Sequence, residues 1–285
     1  MDVSISFALL AACCLGCSDF VAKLSTHKIG YLRTALLMQY VGIAFLLLIA
    51  FRDLPLLWEY SAVTRFALVL GIVNAVGTVA LFKSFEVGQL SIVSPVASSY
   101  PALSIVLAVF LLNESISVIR FSGILAIMVG ILLVSLQKSK ASKTRHISAG
   151  IWYALIAFTC QGFLFFGLKW VVGDLGSFLP VLLLRLVTAL VLTGAVVVVG
   201  GRSVAHNSTS FMLVGFIGIV DTLGNVAFTM GLGTGAVAVV STITALFSSV
   251  TVLLACLLLK ERLVMHQAIG FLAIMLGVGI VSYFT

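Results

Sequence analysis

Residues 70–135 of this chain recur, without a gap, at residues 217–282, an offset of 147 positions. Both copies consist largely of apolar runs long enough to cross a bilayer as helices. A duplicated helical membrane segment is typical of secondary transporters, whose substrate sites lie at the interface between the two halves. The repeat therefore makes a membrane transporter the first hypothesis. About a third of the aligned positions are identical, and the pairs include Gly71/Gly218, Glu114/Glu261, Gly123/Gly270 and Met128/Met275.

The composition indicates a protein whose main solvent is lipid. Of the 285 residues, 62% are hydrophobic and 9% are charged, and the mean hydropathy is +1.28. A soluble domain carries about 25% charged residues. In hydrocarbon each backbone N–H and C=O must be bonded within the protein, which leaves helices or closed barrels. The apolar runs are continuous and do not alternate as barrel strands do, so we predict an all-α membrane protein.

Charge and turn signals divide the apolar runs into ten predicted transmembrane helices, here called spans 1 to 10. Because each half has an odd number of helices, two tandem copies insert with opposite orientations as an inverted repeat. The predicted domains are two five-helix repeats, residues 1–137 and 148–285, joined by a basic linker at 138–147. The spans lie near residues 4–22, 33–51, 65–85, 90–112, 118–137, 148–170, 178–199, 210–232, 237–259 and 264–284.

Sequence details around the ends of spans 4 and 9 resemble a known family. Span 4 closes with Leu111-Leu112-Asn113-Glu114, followed by Gly123-x-x-Ala126-Ile127-Met128-x-Gly130. The second half repeats both features in Leu258-Leu259-Lys260-Glu261 and Gly270-x-x-Ala273-Ile274-Met275-x-Gly277. With five plus five helices, the chain resembles the drug/metabolite transporter superfamily, in its ten-helix EamA-type branch. The resemblance implies a central cavity walled by both halves and an alternating-access cycle, commonly exporting amino acids or other small metabolites.

Charged and amide side chains within the spans are the first candidates for a substrate site. A charge at the middle of a bilayer costs about 2.5–3.5 kcal/mol, so such residues face a cavity or one another. Asp221 lies near the centre of span 8, Asn74 holds the equivalent position in span 3, and Asn225 follows Asp221 by one turn on the same face. Two interpretations of Asp221 stay open: a proton-coupling or ammonium-binding acid, or a fixed ion-pair partner of Arg185.

Arg185 in span 7 and Gln39 in span 2 occupy equivalent positions, because the first two helices of the halves align at an offset of 146. The guanidinium fork matches a substrate carboxylate, although Arg185 is equally a candidate counter-ion of Asp221. Gln161 in span 6 is a further candidate for the cavity wall.

Spans 4 and 9 are the irregular pair. Span 4 has Pro95 and Pro101 in its middle, each removing a backbone hydrogen bond, and span 9 is rich in hydroxyl side chains. Repeat partners that are both interrupted or both polar indicate a binding site, while hydroxyls that face a neighbouring helix are the alternative. The candidates for substrate contact here are Ser94, Ser98, Tyr100 and Thr242.

Other charged positions have structural interpretations. Asp19 and Lys23 are four residues apart near the end of span 1, a spacing that predicts a local ion pair. Lys169, the repeat partner of Lys23, is expected to extend to the membrane interface. Glu114 and Glu261 stand just before the next helix, where a carboxylate favours the positive helix end.

No metal, cofactor or nucleic-acid site is predicted. The net charge of +7 comes from scattered loop residues and the linker, a pattern that favours the membrane surface. Neither a nucleophile–base pair nor a metal cluster is visible, so we expect no enzyme. We expect a multi-pass protein of a prokaryotic plasma membrane that moves a small-molecule substrate, proton-coupled or exchange-driven. A non-transporting receptor or assembly partner is the alternative. The orientation of the termini, on which charge count and resemblance disagree, and the choice between monomer and homodimer stay open.

Overall fold

The computed structural model describes residues 2–87, 96, 99–114, 116–135, 147–199, 208–258 and 265–283. Within these residues the regular elements are α-helices and one short 3-10 turn at Phe51–Asp53, with no strand. The all-α prediction is therefore confirmed for this part of the chain. In chain order the helices are α1 (Val3–Ile29), α2 (Tyr31–Ile49), α3 (Leu56–Glu59), α4 (Ser61–Val87), α5 (Pro101–Leu111), α6 (Val118–Ser135), α7 (Ile147–Leu175), α8 (Leu179–Val199), α9 (Ser208–Thr234), α10 (Val237–Thr244), α11 (Phe247–Leu258) and α12 (Met265–Tyr283).

Lipid is the natural surrounding of this helical bundle. Large apolar side chains stand on its surface, among them Phe110, which is 78% exposed, and Leu190, which is 75% exposed. Soluble proteins rarely expose extended apolar patches of this kind, so the outer helix faces contact lipid. Six helices in the described residues contain apolar stretches long enough to cross a membrane: Val3–Ala22, Leu32–Ile49, Ser61–Leu81, Gly150–Leu175, Leu179–Val198 and Phe211–Thr234.

Several helices extend beyond the predicted spans. Span 1, predicted near 4–22, lies within Val3–Ile29, and span 6, predicted near 148–170, lies within Ile147–Leu175. Apolar composition marks only the lipid-facing length of a helix, whereas the backbone hydrogen bonds continue past the membrane core. Span 9 is divided, because α10 ends at Thr244 and α11 begins at Phe247 after a tight turn.

Two glycine turns at equivalent positions join the first helices of each half. Gly30, between α1 and α2, has φ +84°, and Gly176, between α7 and α8, has φ +67°. The two glycines are 146 positions apart, the offset that relates these helices. This left-handed region costs other residues about 1–2 kcal/mol, so both turns favour glycine for the same reason.

Two matching glycine contacts join α6 of the first half to α12 of the second half. A Cβ at Gly130 of α6 would lie 2.6 Å from the carbonyl oxygen of Gly270 in α12. A Cβ at Gly277 of α12 would lie equally close, 2.6 Å, to the carbonyl oxygen of Gly123 in α6. Because Gly123 pairs with Gly270 and Gly130 with Gly277 in the repeat, each contact is the copy of the other. Small residues allow such close backbone approach in lipid.

Candidate functional site

Four of the candidate residues form one hydrogen-bonded group, here called the central polar cluster: Gln39, Arg185, Asp221 and Asn225. Arg185 donates from Nη1 to Gln39 Oε1 at 2.9 Å and from Nη2 to Asp221 Oδ2 at 2.5 Å. Asn225 donates from Nδ2 to the Asp221 backbone oxygen at 2.8 Å and to Asp221 Oδ2 at 3.1 Å. The cluster thus joins α2, α8 and α9.

The central polar cluster is almost completely withdrawn from solvent. Arg185 is 4% exposed and Gln39 is 8% exposed, and the Asp221 side chain is partly buried. Removing two opposite charges from water is costly, and their attraction offsets that cost only with good hydrogen-bond geometry. In the described part of the chain Arg185 Nε is buried without a hydrogen-bond partner, so the guanidinium retains one unused donor.

Gly42 of α2 creates the space that the Arg185 side chain fills. A Cβ at Gly42 would lie 2.8 Å from Arg185 Nε and 2.6 Å from Thr222 Oγ1. The equivalent position in α8 is Thr188, whose hydroxyl accepts a hydrogen bond from Asn74 Nδ2 at 2.9 Å. Asn74 therefore belongs to the same region as the cluster, because Thr188 lies one turn after Arg185 on α8.

Tyr100 lies among aromatic rings at the start of α5. Its ring stacks on Phe165 of α7 with a centroid distance of 4.7 Å, and Phe165 meets Phe228 of α9 edge-on at 4.5 Å. Tyr100 is 4% exposed, and its hydroxyl has no hydrogen-bond partner among the described residues.

The spacing of Asp19 and Lys23 in α1 predicts a local ion pair. The Lys23 side chain lies outside the described part of the structure. The Asp19 side chain is exposed, although the residue lies within the apolar run of span 1.

The other sequence candidates lie apart from the central polar cluster. Thr242 is fully buried in α10, and its hydroxyl donates to the Ala238 carbonyl oxygen of the same helix at 2.7 Å. Gln161 of α7 is half-buried and faces α4, with its Nε2 3.8 Å from the position of a Cβ at Gly77. Ser94 and Ser98 lie outside the described residues.

Glu114 of the first half and Lys169 of the second half both bind backbone groups where α9 gives way to α10. Lys169 donates from Nζ to the carbonyl oxygens of Leu232 at 2.6 Å and Gly235 at 2.7 Å. Glu114 accepts hydrogen bonds from the backbone N–H of Val237 at 2.8 Å, through Oε1, and of Ala238 at 3.3 Å, through Oε2. A cation at a helix C-terminus and an anion at an N-terminus both complement the helix dipole. The Lys169 ammonium group therefore donates hydrogen bonds to backbone carbonyl groups inside the protein. The Glu114 carboxylate caps the N-terminus of a helix that belongs to the other half.

Comparison with known proteins identifies the family. The profile of the EamA-like transporter family matches the chain twice, over residues 3–136 and residues 148–283. An uncharacterized protein of Methanocaldococcus jannaschii is 28% identical over 137 residues, which make up 48% of this chain and 99% of that protein. A solved structure, described only as the crystal structure of a protein, has a TM-score of 0.82 and 16% identity, covering 100% of this chain and 98% of the other. At this identity the likeness is one of fold.

Proposed function

Because the chain belongs to the EamA-like transporter family of multi-pass membrane proteins, we propose that it is a secondary active exporter of amino acids or other small metabolites. The transport cycle is alternating access, driven by the proton gradient or by exchange. The protein resides in a prokaryotic plasma membrane. Ten spans form two inverted five-helix repeats, residues 1–137 and 148–285, around a central cavity.

The central polar cluster is the observation that carries this proposal. A charged pair inside membrane-spanning helices is costly and typically serves transport. Arg185 and Asp221 lie in α8 and α9, and Gln39 joins them from the other half. A substrate site at the interface of repeats is what an alternating-access transporter needs.

Contacts between the halves support the inverted-repeat arrangement. The reciprocal glycine contacts of α6 and α12 are those expected of copies related by a two-fold axis. Span 9 is broken at Ala245-Leu246, and discontinuous helices are frequent at transporter binding sites. Rigid movement of one group of helices against the other then opens the cavity to either side of the membrane.

The Arg185–Asp221 ion pair supplies a coupling mechanism. A substrate ammonium group binds the Asp221 carboxylate, and a substrate carboxylate binds the guanidinium fork of Arg185, so the substrate separates the two charges. A proton competes with the ammonium group for Asp221. Because the site holds either the proton or the substrate, the two move in opposite directions, as proton-driven export requires.

Uptake into proteoliposomes tests the proposed function. Vesicles containing the purified chain are given pooled labelled amino acids, nucleosides, sugars and quaternary amines, with and without an imposed proton gradient. We expect accumulation of at least one pool that depends on the gradient or on preloaded substrate. No flux for any pool, from protein shown to be folded, would contradict transport and favour a receptor or assembly partner.

A further inference from the structure

Residues 50–60, here called the α2–α4 connection, carry two large apolar side chains that the proposed transport cycle does not use. Trp58 is 89% exposed and Phe51 is 71% exposed. Tryptophan is highly buried on average in folded proteins. The exposure of Trp58 therefore indicates that something outside the chain covers this ring.

The α2–α4 connection is a folded support that presents Trp58 at a defined place. Leu57 and Tyr60 pack against the core of the bundle. The Thr64 hydroxyl donates a hydrogen bond to the Leu57 carbonyl oxygen at 3.0 Å, and the Trp58 N–H donates to the Pro55 carbonyl oxygen at 3.0 Å. Because its neighbours are packed and its backbone is bonded, the outward position of Trp58 is part of the fold.

The flanking helices place the α2–α4 connection at the membrane surface. The apolar stretch Leu32–Ile49 of α2 ends directly before it, and the stretch Ser61–Leu81 of α4 begins directly after it. Both stretches are long enough to cross the hydrocarbon layer, so the residues between them lie where hydrocarbon meets the lipid headgroups. The exposed carboxylate of Glu59, next to Trp58, favours the same level, because a charge is costly in hydrocarbon.

The equivalent connection of the second half indicates that the fold does not require these aromatic rings. It comprises residues 197–207, which include no Phe, Tyr or Trp. At the offset of 146, Val197 takes the place of Phe51 and Val204 takes the place of Trp58. Since both halves match the same family profile, the two rings serve a contact with the surroundings of the first half rather than its folding.

We propose that the α2–α4 connection is an interfacial anchor, whose Trp58 and Phe51 side chains insert into the headgroup region of the bilayer. Tryptophan is enriched at this level, because its ring is apolar and its N–H can donate to water or to a lipid oxygen. Phe51 adds apolar contact with the acyl chains that begin there. The anchor fixes the depth of α2 and α4 in the membrane, and with it the depth of Gln39 and Asn74.

Depth-dependent fluorescence quenching tests the anchor in the full chain. Because the chain has three tryptophans, Trp152→Phe and Trp170→Phe together leave Trp58 as the sole fluorophore of this kind. The protein is placed in phosphatidylcholine nanodiscs whose lipids carry quenching bromine atoms either near the headgroups or near the bilayer centre. We expect the shallow bromines to remove more of the Trp58 fluorescence than the deep ones do. Acrylamide in the water should quench Trp58 less than it quenches free tryptophan.

Ile72→Trp, in a chain whose own three tryptophans are replaced by phenylalanine, is the matched control. Ile72 is exposed on the outer face of α4, near the middle of the apolar stretch of that helix. The deep bromines should therefore quench the fluorescence of this variant more than the shallow ones do. Thermal unfolding of each variant verifies that it is folded.

Three results would overturn the anchor. Stronger quenching of Trp58 by deep than by shallow bromines would place the ring in hydrocarbon, and strong quenching by acrylamide alone would place it in water. Absence of quenching by all three reagents would show that protein, such as a second copy of this chain, covers the ring. None of these results depends on substrate flux, so the anchor and the proposed transport are tested separately.

Discussion

Gln39 and Arg185 hold the same position in the two repeats and contact each other directly, with 2.9 Å between Gln39 Oε1 and Arg185 Nη1. The contact lies where the two halves meet, but only one partner is charged. The same difference recurs one helix further on, where Asp221 is the repeat partner of neutral Asn74. The second half therefore contributes an ion pair, and the first half contributes two amides at the equivalent places.

Asp221→Asn tests the coupling role of the ion pair. The amide oxygen can still accept from Arg185, so we expect an unfolding temperature within a few degrees of the wild type. It cannot take up or release a proton, and gradient-driven accumulation should therefore disappear in the vesicle assay. Asp174→Asn is the matched control, and unchanged accumulation in Asp221→Asn would remove Asp221 from the mechanism.

Arg185→Leu tests whether the charges of Arg185 and Asp221 stabilise each other in the folded protein. It leaves the buried Asp221 carboxylate with Asn225 as its remaining hydrogen-bond donor in the described structure, and breaking a buried pair costs about 3–5 kcal/mol. We expect a marked fall in the unfolding temperature in detergent. The double variant Arg185→Leu/Asp221→Leu should recover much of that loss, and strictly additive effects would contradict a coupled pair.

Gly42→Ala tests the space beside the guanidinium. The new methyl group would lie 2.8 Å from Arg185 Nε and 2.6 Å from Thr222 Oγ1, so the side chains must move. Overpacking of this kind costs about 1–3 kcal/mol, and displacement of Arg185 should also lower transport. Gly194→Ala in α8 is the control, because nothing lies within 4 Å of its Cβ position; equal effects of both variants would contradict this account.

Gly277→Ala tests the close crossing of α6 and α12. The added Cβ would lie 2.6 Å from the Gly123 carbonyl oxygen and 3.0 Å from the Ile127 nitrogen, both backbone atoms that cannot rotate away. We expect a loss of about 1–3 kcal/mol, measured by thermal or denaturant unfolding. Gly279→Ala, two residues along the same helix, meets no atom within 4 Å and should be neutral or slightly stabilising.

Glu114→Gln tests the connection between the halves at the start of α10. The carboxylate accepts hydrogen bonds from two backbone N–H groups, and the amide retains one oxygen without the charge that complements the helix end. We expect a destabilisation of about 1–2 kcal/mol, since hydrogen bonds to charged groups contribute about 1.5–3 kcal/mol. Glu59→Gln, on an exposed residue of α3, should leave the unfolding temperature unchanged.

Periodicity and spacing could not assign every polar residue correctly. Asp221 and Asn225 were predicted to lie on the same face of span 8, and the hydrogen bond between their side chains agrees with that prediction. The Asp19–Lys23 ion pair stays a prediction, because the Lys23 side chain lies outside the described part of the structure. Lys169 was expected at the membrane interface, but its Nζ donates to the carbonyl oxygens of Leu232 and Gly235. Those hydrogen bonds depend on how α7 and α9 pack, which no local pattern contains.

The sequence by itself determined the solvent, the helical class and the duplication. Continuous apolar runs satisfy their backbone only as helices in lipid, and the repeat is visible residue by residue. Only the tertiary structure decided which polar groups meet. Whether Arg185 takes Asp221 as its partner, and whether Glu114 caps its own neighbouring helix or one of the other half, depends on helix rotation and on close glycine contacts. Those are set by packing between different helices, whose contacting residues are as far apart in the chain as the 36 positions between Arg185 and Asp221 and the 146 between Gln39 and Arg185.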